Sequence, residues 1–184
     1  MVNKNIIGLL GKKHVGKDTV AEYMTNKYGV MTYALAEPLK EMVGMLFNLD
    51  YEQMHGELKE VVDERWGCTP RHMFQTIGTE ICRKQLHNYI PNVKENEFWL
   101  MKFEQWLSDN EYMYICVTDL RVKNEIDFIK KLGGKIIYIE RETKEKDVHS
   151  SEMYEVQESD YDFHIINNGT LDELYEKVDE IMEK

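Results

Sequence analysis

A glycine-containing loop near the start of the chain, between an apolar run and a helical pattern, most constrains what this sequence can fold into. The apolar run at residues 6–10 predicts a short buried strand, and apolar residues at helical spacing from Asp18 onward predict a helix. Between the two, Gly11 and the pair Gly16-Lys17 have the spacing G-x-x-x-x-G-K. A strand, a loop with this spacing and a helix, in this order, are typical of a phosphate-binding P-loop.

The physics of such a loop explains why these residue types are needed. Successive backbone N–H groups point inward and form a nest for an anion, and glycines allow the close approach of the backbone. The first turn of the helix adds N–H groups without helical partners and the positive end of the helix dipole. Lys17 would add a mobile positive charge for the β and γ phosphates of a nucleotide. The competing interpretation is an ordinary strand–helix turn with surface lysines at positions 12, 13 and 17.

One residue departs from the usual P-loop pattern. Ser or Thr normally follows the lysine and its hydroxyl ligates Mg²⁺, whereas here Asp18 follows and Thr19 comes next. A carboxylate can hold Mg²⁺ directly or through a water molecule. The nucleotide interpretation therefore stands with Asp18 as a candidate metal ligand, and which of the two residues contacts Mg²⁺ is left open.

Composition excludes several classes of protein. The 184 residues suffice for one α/β domain with a sizeable core. A net charge of −11 argues against a nucleic-acid polymer as the partner, although not against a small nucleotide. There is no apolar run of membrane-spanning length and no signal-peptide pattern, so we expect no membrane partner. The widely spaced Cys68, Cys82 and Cys116 form no zinc or redox motif, and we expect a reducing cytoplasm, that of the host cell if the protein is viral.

Alternating strand and helix patterns continue along the chain. Such an alternation predicts right-handed crossovers and a parallel sheet covered on both faces. We therefore predict a three-layer α/β fold of the P-loop NTPase type, with about five parallel strands and helices on both faces. After the first strand, strands are predicted at residues 30–35, 112–118, 135–139 and 163–166. Helices are predicted at residues 36–47, 69–86, 95–107, 123–132 and from 171 onward, with one more short helix at 57–66 left open.

The two longest stretches without a strand are predicted to be insertions over one edge of the sheet. They are a helical flap at about 36–111 and a short lid at about 141–161. No repeat and no linker interrupts the sequence, so we expect a single domain over residues 1–184. Ligands of open parallel sheets bind at the carboxyl ends of the strands. The residues that follow predicted strand ends include Gly11, Glu37, Asp119 and Arg141.

A carboxylate and several arginines suggest a second layer of chemistry. Asp119 ends a strand of the type that carries a second Mg²⁺-linked carboxylate in P-loop proteins, with a simple polar strand end as the alternative. Arg121 follows where the chain leaves the sheet, and Arg71 and Arg83 can approach one side of the same helix. Arginine side chains match phosphate oxygens bidentately. Each alone is more often a surface residue, but their joint placement favours a second phosphate site.

Arg141 begins a stretch in which acidic and basic side chains alternate. It could cover a triphosphate, and a solvated loop with internal ion pairs is an equally good interpretation. His149 follows on the same polar stretch, where a lone histidine usually serves neither metal binding nor nucleophilic catalysis.

Five motifs in this chain occur in an order that resembles a known family. They are G-K-x-x-x-G-K-D-T at 11–19, A-E-P-L-K at 36–40, Q-x-I-G-T-E at 75–80 with Arg83, D-x-R-x-x-x-E at 119–125 and H-x-S-E at 149–152. The chain resembles the deoxynucleoside monophosphate kinases of tailed phages, within the wider group of P-loop nucleoside monophosphate kinases. The motifs span most of the chain. The G-K-D-T ending, with its aspartate in place of Ser or Thr, is typical of that family.

The resemblance implies that Mg²⁺ and ATP serve an in-line phosphorylation of deoxynucleoside monophosphates to diphosphates, leaving ADP. It implies ATP binding at Gly11, Lys12, His14, Val15, Gly16, Lys17, Asp18, Thr19 and Arg141. It implies acceptor binding, mostly on the flap, at Glu37, Lys40, Arg71, Gln75, Arg83 and Glu125. Catalytic roles fall on Lys17, Arg83, Arg121 and Asp119, and metal binding on Asp18 and Asp119. Because the acceptor is an ionised phosphate oxygen, catalysis would consist of alignment and charge neutralisation, with no strong general base.

Two alternatives stay open at this point. The phosphomevalonate kinases of animals carry a similar G-K-x-x-x-G-K-D start, so another small phosphorylated metabolite could be the acceptor. An ATP-binding switch without catalysis is the second alternative, and the paired arginines weigh against it. The accepted bases and the roles of His149 and Glu152 are not determined. A homodimer through the aromatic helix at 95–107 is left open, although contacts of Trp99 and Trp106 within the chain are favoured.

Overall fold

The computed structural model of the protein describes residues 4–142 and 154–183. Its strands are β1 (Asn5–Leu10), β2 (Met31–Tyr33), β3 (Tyr114–Leu120), β4 (Lys135–Glu140) and β5 (Phe163–Ile166). Its α-helices are α1 (Lys17–Tyr28), α2 (Glu37–Phe47), α3 (Tyr51–His55), α4 (Pro70–Gln75), α5 (Phe98–Asp109), α6 (Lys123–Lys131) and α7 (Leu171–Met182). Short 3-10 turns lie at Glu57–Glu60, Leu86–Asn88 and Glu158–Asp160, and π-helical turns at Thr76–Arg83. Within the described ranges, no helix has the length and apolar character that a membrane crossing needs.

All five strands run parallel, in the order β2-β3-β1-β4-β5, so the predicted five-stranded parallel sheet is confirmed. The connection after β1 leads away to the edge strand β2, whereas the connection after β3 returns past β1 to β4. Because the loops after β1 and β3 leave in opposite directions, a crevice opens between the carboxyl ends of these two strands. Ligands of open parallel sheets bind in such a crevice.

Helices cover both faces of the sheet, as predicted. Because side chains alternate along each strand, the apolar strands place side chains on both faces, and each face is buried under helices. Leu9 of β1 and Ile137 of β4 point to one face, where they form a fully buried cluster with α1 and with Leu174 of α7. Gly8 of β1 points to the opposite face, beside Ile136. On that face α6 packs against β1 and β4.

The described chain divides into two compact units. The first contains the whole sheet and takes its residues from the part up to Ala34 and from Ser108 onward, and the second is Leu35–Leu107. The interpretation of the second unit as an acceptor-binding insertion within one kinase domain stays a prediction.

The second unit has its own small core. Val43 of α2, Leu49 and Met73 of α4 are buried together. Trp99 of α5 is also buried, and its indole N–H donates to the Gly78 carbonyl oxygen (3.1 Å), so this tryptophan packs within the unit.

The helix boundaries of the second unit differ in part from the prediction. Of the short helix left open at 57–66, only the first four residues are helical, as a 3-10 turn. The chain then turns back, because the backbone N–H of Asp63 donates to the carbonyl of Cys68 (3.0 Å) in an isolated β-bridge. The helix predicted from residue 69 is confirmed, with the Thr69 hydroxyl accepting from the His72 N–H (3.1 Å) as its N-terminal cap.

Candidate active site

The loop between β1 and α1 has glycines where its backbone requires them. Gly11 directly follows β1 with φ 152°, and a Cβ at this position would overlap the Ile139 carbonyl oxygen of β4. Gly16 caps α1 with φ 106°, and a Cβ there would come within 2.6 Å of Asn167 Nδ2. Both glycines of the motif therefore serve a left-handed backbone and a close approach to neighbouring atoms.

Lys17, the first residue of α1, holds its ammonium group against this loop. Its Nζ donates to the carbonyl oxygens of Gly11 (2.7 Å) and Lys12 (2.6 Å). The positive charge therefore lies within the curve of the loop, beside the N–H groups of the first helical turn. An anion at this place would meet the N–H groups, the helix dipole and the ammonium together.

The P-loop backbone is also fixed from the carboxyl ends of β4 and β5. The Val15 side chain is buried in the core, and its carbonyl accepts a hydrogen bond from Asn167 Nδ2 (2.8 Å). Asn167 directly follows β5 and is 7% exposed, and its backbone N–H donates to the Glu140 carbonyl (2.7 Å). One buried asparagine therefore joins the two strand ends to the P-loop.

The end of β3 carries a local irregularity. Between two paired positions, β3 has one more residue than β1, and the extra residue falls at 118–119. Bulges of this kind change the direction of side chains and are frequent beside active sites. Asp119 therefore lies within β3 at this bulge, half-buried, rather than after the strand as predicted.

Arg121 follows β3, and its backbone position is set by Glu125. The carboxylate of Glu125 is 3% exposed, and its Oε2 accepts from the backbone N–H groups of Arg121 (2.8 Å) and Val122 (3.3 Å). Glu125 is the third residue of α6, so it forms the half of a capping box that reaches back to the N-terminus. Within the first unit, Glu125 therefore orients the backbone of Arg121. Its contact with an acceptor stays a prediction.

A cavity of about 370 Å³ opens beside the P-loop. Four basic side chains lie along it, three from the P-loop and one from Arg121. In a chain of net charge −11, this grouping gives a local positive field suited to phosphate groups. The described lining consists of Leu10, Gly11, Lys12, Lys13, Lys17, Leu120, Arg121, Tyr138, Tyr154, Glu155 and Val156.

The lining residue Tyr138 belongs to a group of aromatic rings at and beside β4 and β5. The ring of Tyr138 stacks on His164 (centroids 5.0 Å apart) and lies 5.3 Å from Tyr161. Burial, and then the negative charge of Glu140, raise the pKa of Tyr138, so its phenol stays neutral at physiological pH. The cavity therefore has a cationic side at the P-loop and Arg121, and a neutral phenol at Tyr138.

The predicted acceptor-binding residues of the second unit begin on α2. Lys40 Nζ donates to Glu37 Oε2 (3.0 Å), and His55 Nε2 lies 3.8 Å from Glu37 Oε1. The three side chains therefore form one partly exposed cluster of charged and ionisable groups.

The remaining predicted acceptor residues lie on α4 and the π-helical turns that follow it. Arg71 forms an ion pair with Glu60, and Gln75 is the last residue of α4. Arg83 ends the π-helical turns, and its carbonyl accepts from the Asn96 N–H (2.9 Å). A second cavity of about 570 Å³ in this unit is lined by other described residues, namely Asn48, Leu49, Asp50, Gln53, Asp63 and Arg65.

Two carboxylates could serve a magnesium ion. Among the described residues, no group of three or more His, Cys, Asp or Glu side chains could hold a metal by itself. Mg²⁺ usually takes only one or two carboxylates together with substrate phosphates and water. Asp18, exposed in the first turn of α1, and Asp119, at the β3 bulge, have the oxygen ligands that this ion prefers.

Part of the predicted lid can be placed. Arg141 directly follows β4 and is exposed, and the next residue, Glu142, donates its backbone N–H to Asn168 Oδ1 (3.0 Å). His149 and Glu152 lie outside the described residues, together with the middle of the predicted lid.

The residues that the structure brings to the P-loop or its cavity and that sequence reasoning missed include Asn167, Tyr138 and Tyr154. Asn167 follows a predicted strand at the carboxyl edge, so the rule applied to Asp119 would have found it. Tyr138 lies inside a predicted strand, and Tyr154 lies in a polar stretch with no periodic pattern, so neither gave a usable signal.

Known proteins share sequence similarity with this chain over most of its length. A family model described as deoxynucleotide monophosphate kinase matches residues 5–67 and 45–178. A protein of Acanthamoeba polyphaga mimivirus, provisionally named a deoxynucleotide monophosphate kinase, is 39% identical over 181 residues, covering 94% of this chain and 93% of its own. The deoxynucleotide monophosphate kinase of Escherichia phage RB69 is 22% identical over 253 residues, covering 96% of this chain and 99% of its own.

A solved structure shares the fold. The dephospho-CoA kinase from Campylobacter jejuni superposes with a TM-score of 0.50 at 15% identity, covering 98% of this chain and 96% of its own. At this identity the likeness concerns the fold alone.

Proposed function

The chain belongs to the deoxynucleotide monophosphate kinase family, and we propose that it transfers the γ-phosphoryl group of ATP to the phosphate of a deoxynucleoside monophosphate. The observation that carries this proposal is the cavity in which the P-loop lysine and Arg121 share one lining. A phosphoryl group in transfer carries negative charge on its three peripheral oxygens. Cations from the ends of two neighbouring strands suit that distribution of charge.

The reaction is a simple exchange of bonds. A phosphate oxygen of the monophosphate attacks the γ-phosphorus, a new P–O bond forms, and the bond to the oxygen bridging the β and γ phosphates breaks. The products are ADP and the deoxynucleoside diphosphate. Because both attacking and leaving groups are ionised oxygens, the side chains need only align them and neutralise charge.

Each proposed site residue of the first unit then has a defined task. The P-loop at 11–19 holds the β and γ phosphates through its N–H groups, and Lys17 neutralises them. Arg121 stabilises the charge that develops on the transferred group. Asp18 and Asp119 would hold Mg²⁺, which when bound neutralises the charge between the β and γ phosphates.

The second unit supplies the proposed acceptor contacts. We assign the acceptor to Glu37, Lys40, Arg71, Gln75 and Arg83, because they combine phosphate-binding cations with hydrogen-bonding groups on neighbouring elements. The free state of Cys68, Cys82 and Cys116 supports action in a reducing cytoplasm.

The first test is ADP release with Mg-ATP against a panel of ribo- and deoxyribonucleoside monophosphates. Turnover that requires particular deoxynucleotides is expected. Lys17→Ala should remove it almost completely, whereas Lys131→Ala, which deletes an exposed lysine of α6, should not change it. ADP release that ignores every monophosphate would contradict the proposal, and turnover with phosphomevalonate alone would replace the acceptor.

Arg83→Ala tests the assignment of the acceptor site separately. Loss of an arginine that meets the transferred charge should reduce the rate by on the order of 10³. ATP affinity, measured by titration calorimetry, should stay at the wild-type value. Wild-type turnover in a folded Arg83→Ala protein would remove this residue from the site.

A further inference from the structure

One wall of the cavity, the segment Tyr154–Val156, is held in place by a buried carboxylate. Asp160 is fully buried, and its Oδ2 accepts hydrogen bonds from the Tyr154 hydroxyl (2.6 Å) and the Gln157 backbone N–H (2.7 Å). Its Oδ1 accepts from Lys123 Nζ (2.8 Å). The carboxylate therefore has one ammonium, one phenol and one backbone donor around it.

These donors keep Asp160 ionised within the protein. Burial alone would raise the pKa of Asp160, but the hydrogen bonds from Lys123 and Tyr154 outweigh it, so that this pKa lies below its usual value. Burial, and then the bond to Asp160, raise the pKa of Tyr154 to about 12, so its phenol remains a donor at neutral pH. The bond between the two side chains is thus charge-assisted and directional.

The two sides of the cavity depend on the same few residues at the start of α6. Arg121 is oriented through Glu125, the third residue of that helix. Lys123, its first residue, binds Asp160 and through it fixes the ring of Tyr154. The cationic side and the Tyr154 side of the cavity are therefore positioned together.

We propose that Asp160 and Tyr154 are positioning residues that hold the segment Tyr154–Val156 as a water-excluding wall of the phosphoryl-transfer cavity. This inference rests on the proposed kinase function. A phosphoryl group that meets water instead of an acceptor gives ADP, inorganic phosphate and a proton, which wastes ATP. A fixed wall limits that reaction by keeping water from the γ-phosphorus, while leaving the acceptor as the attacking group.

The chain offers a closely matched control for this test. Tyr28, at the end of α1 far from the P-loop, donates its hydroxyl to Asp179 (2.6 Å), which also binds Lys27 (2.7 Å). Tyr154→Phe and Tyr28→Phe therefore each remove one phenol hydroxyl from a Tyr–Asp–Lys group, one beside the cavity and one at the opposite end of α1.

The measured quantity is ADP formed without acceptor relative to ADP formed with it. Tyr154→Phe should raise this ratio about tenfold, the effect expected of one hydrogen bond to a charged group. Tyr28→Phe should leave the ratio at the wild-type value, although its melting temperature should fall by about as much as that of Tyr154→Phe. Equal ratios in the wild-type protein and both variants would overturn the proposal.

Hydrogen exchange gives a second readout that needs no turnover. In Tyr154→Phe, the amide of Gln157 should exchange about tenfold faster than in the wild type, because its acceptor Asp160 is less firmly held. Unchanged exchange would also overturn the proposal. If the wild type shows no acceptor-dependent turnover, the proposed kinase function fails. The wall at Tyr154–Val156 can still be tested in that case, because a roughly tenfold weaker Mg-ATP affinity in Tyr154→Phe, and not in Tyr28→Phe, would support it.

Discussion

Replacing Glu125 separates two roles for a residue that the family resemblance assigned to the acceptor. In the structure its buried carboxylate accepts two backbone hydrogen bonds at the residues that lead into α6. Glu125→Ala removes both bonds and leaves the backbone of Arg121 without its support. Glu125→Gln keeps a carbonyl oxygen of nearly the same shape at the same place, but removes the charge.

The structure sets the size of the effect. Hydrogen bonds to a charged group contribute about 1.5 kcal/mol or more each, so Glu125→Ala should cost about 3 kcal/mol of unfolding free energy and Glu125→Gln about half of that. A domain with a typical stability of about 5–15 kcal/mol stays folded after either change. A displacement of Arg121 by about 1 Å should lower kcat on the order of 100-fold in Glu125→Ala, and less than about tenfold in Glu125→Gln.

The assay is steady-state ADP release with the best monophosphate, alongside urea unfolding. The matched control is Glu173→Ala, since Glu173 is also the third residue of its helix, α7, and accepts from the Thr170 N–H (3.0 Å). It should lose stability without losing kcat. Equal loss of kcat in Glu125→Gln and Glu125→Ala, with a raised KM for the monophosphate, would refute the positioning role and favour direct contact with the acceptor.

Three further predictions concern the P-loop, acid stability and the cysteines. Asn167→Ala removes the bond to the Val15 carbonyl and should weaken ATP binding about fivefold in calorimetry. The control Asn26→Ala, on the exposed side of α1, should not change the affinity, and equal ATP affinities in both variants would refute the role of Asn167 in fixing the P-loop. The hydrogen bond from Lys27 lowers the pKa of Asp179, so stability present above about pH 4 should be lost as pH falls through the folded-state pKa, and urea unfolding of Asp179→Asn should show a shallower pH dependence. Burial raises the pKa of Cys116 to about 12, so iodoacetamide at pH 8 should label the partly exposed Cys68 first, and labelling of Cys116 in the native protein would contradict its burial.

The fold and the P-loop could be predicted because their signals are local. A buried parallel strand needs an apolar run, and the loop after β1 needs glycines at two fixed positions. Residues 6–10 and the glycines Gly11 and Gly16 carry these requirements in the sequence itself. The parallel pairing and the right hand of the crossovers follow from general rules, whereas the strand order β2-β3-β1-β4-β5 came from the structure.

The remaining site residues could not be predicted in the same way, because their roles depend on distant partners. Asp160 lies in a polar stretch where a carboxylate gives no signal, and only the fold brings Lys123 and Tyr154 to it. Asn167 contacts a residue 152 positions earlier in the chain. Such contacts join segments that are far apart in the sequence, so no rule based on residue spacing predicts them.

Sequence by itself determined the anion-binding loop, the parallel sheet and the family, because backbone geometry and hydrophobic burial impose fixed residue types at short spacings. Tertiary structure alone decided which side chains hold the P-loop and the wall at Tyr154. It joined Asn167 to the Val15 carbonyl of the P-loop, and it buried Asp160 against Lys123 behind that wall. The physical reason is that a buried charge is stable only where the fold assembles its donors from several elements, and that assembly is a property of the packed chain rather than of any one segment.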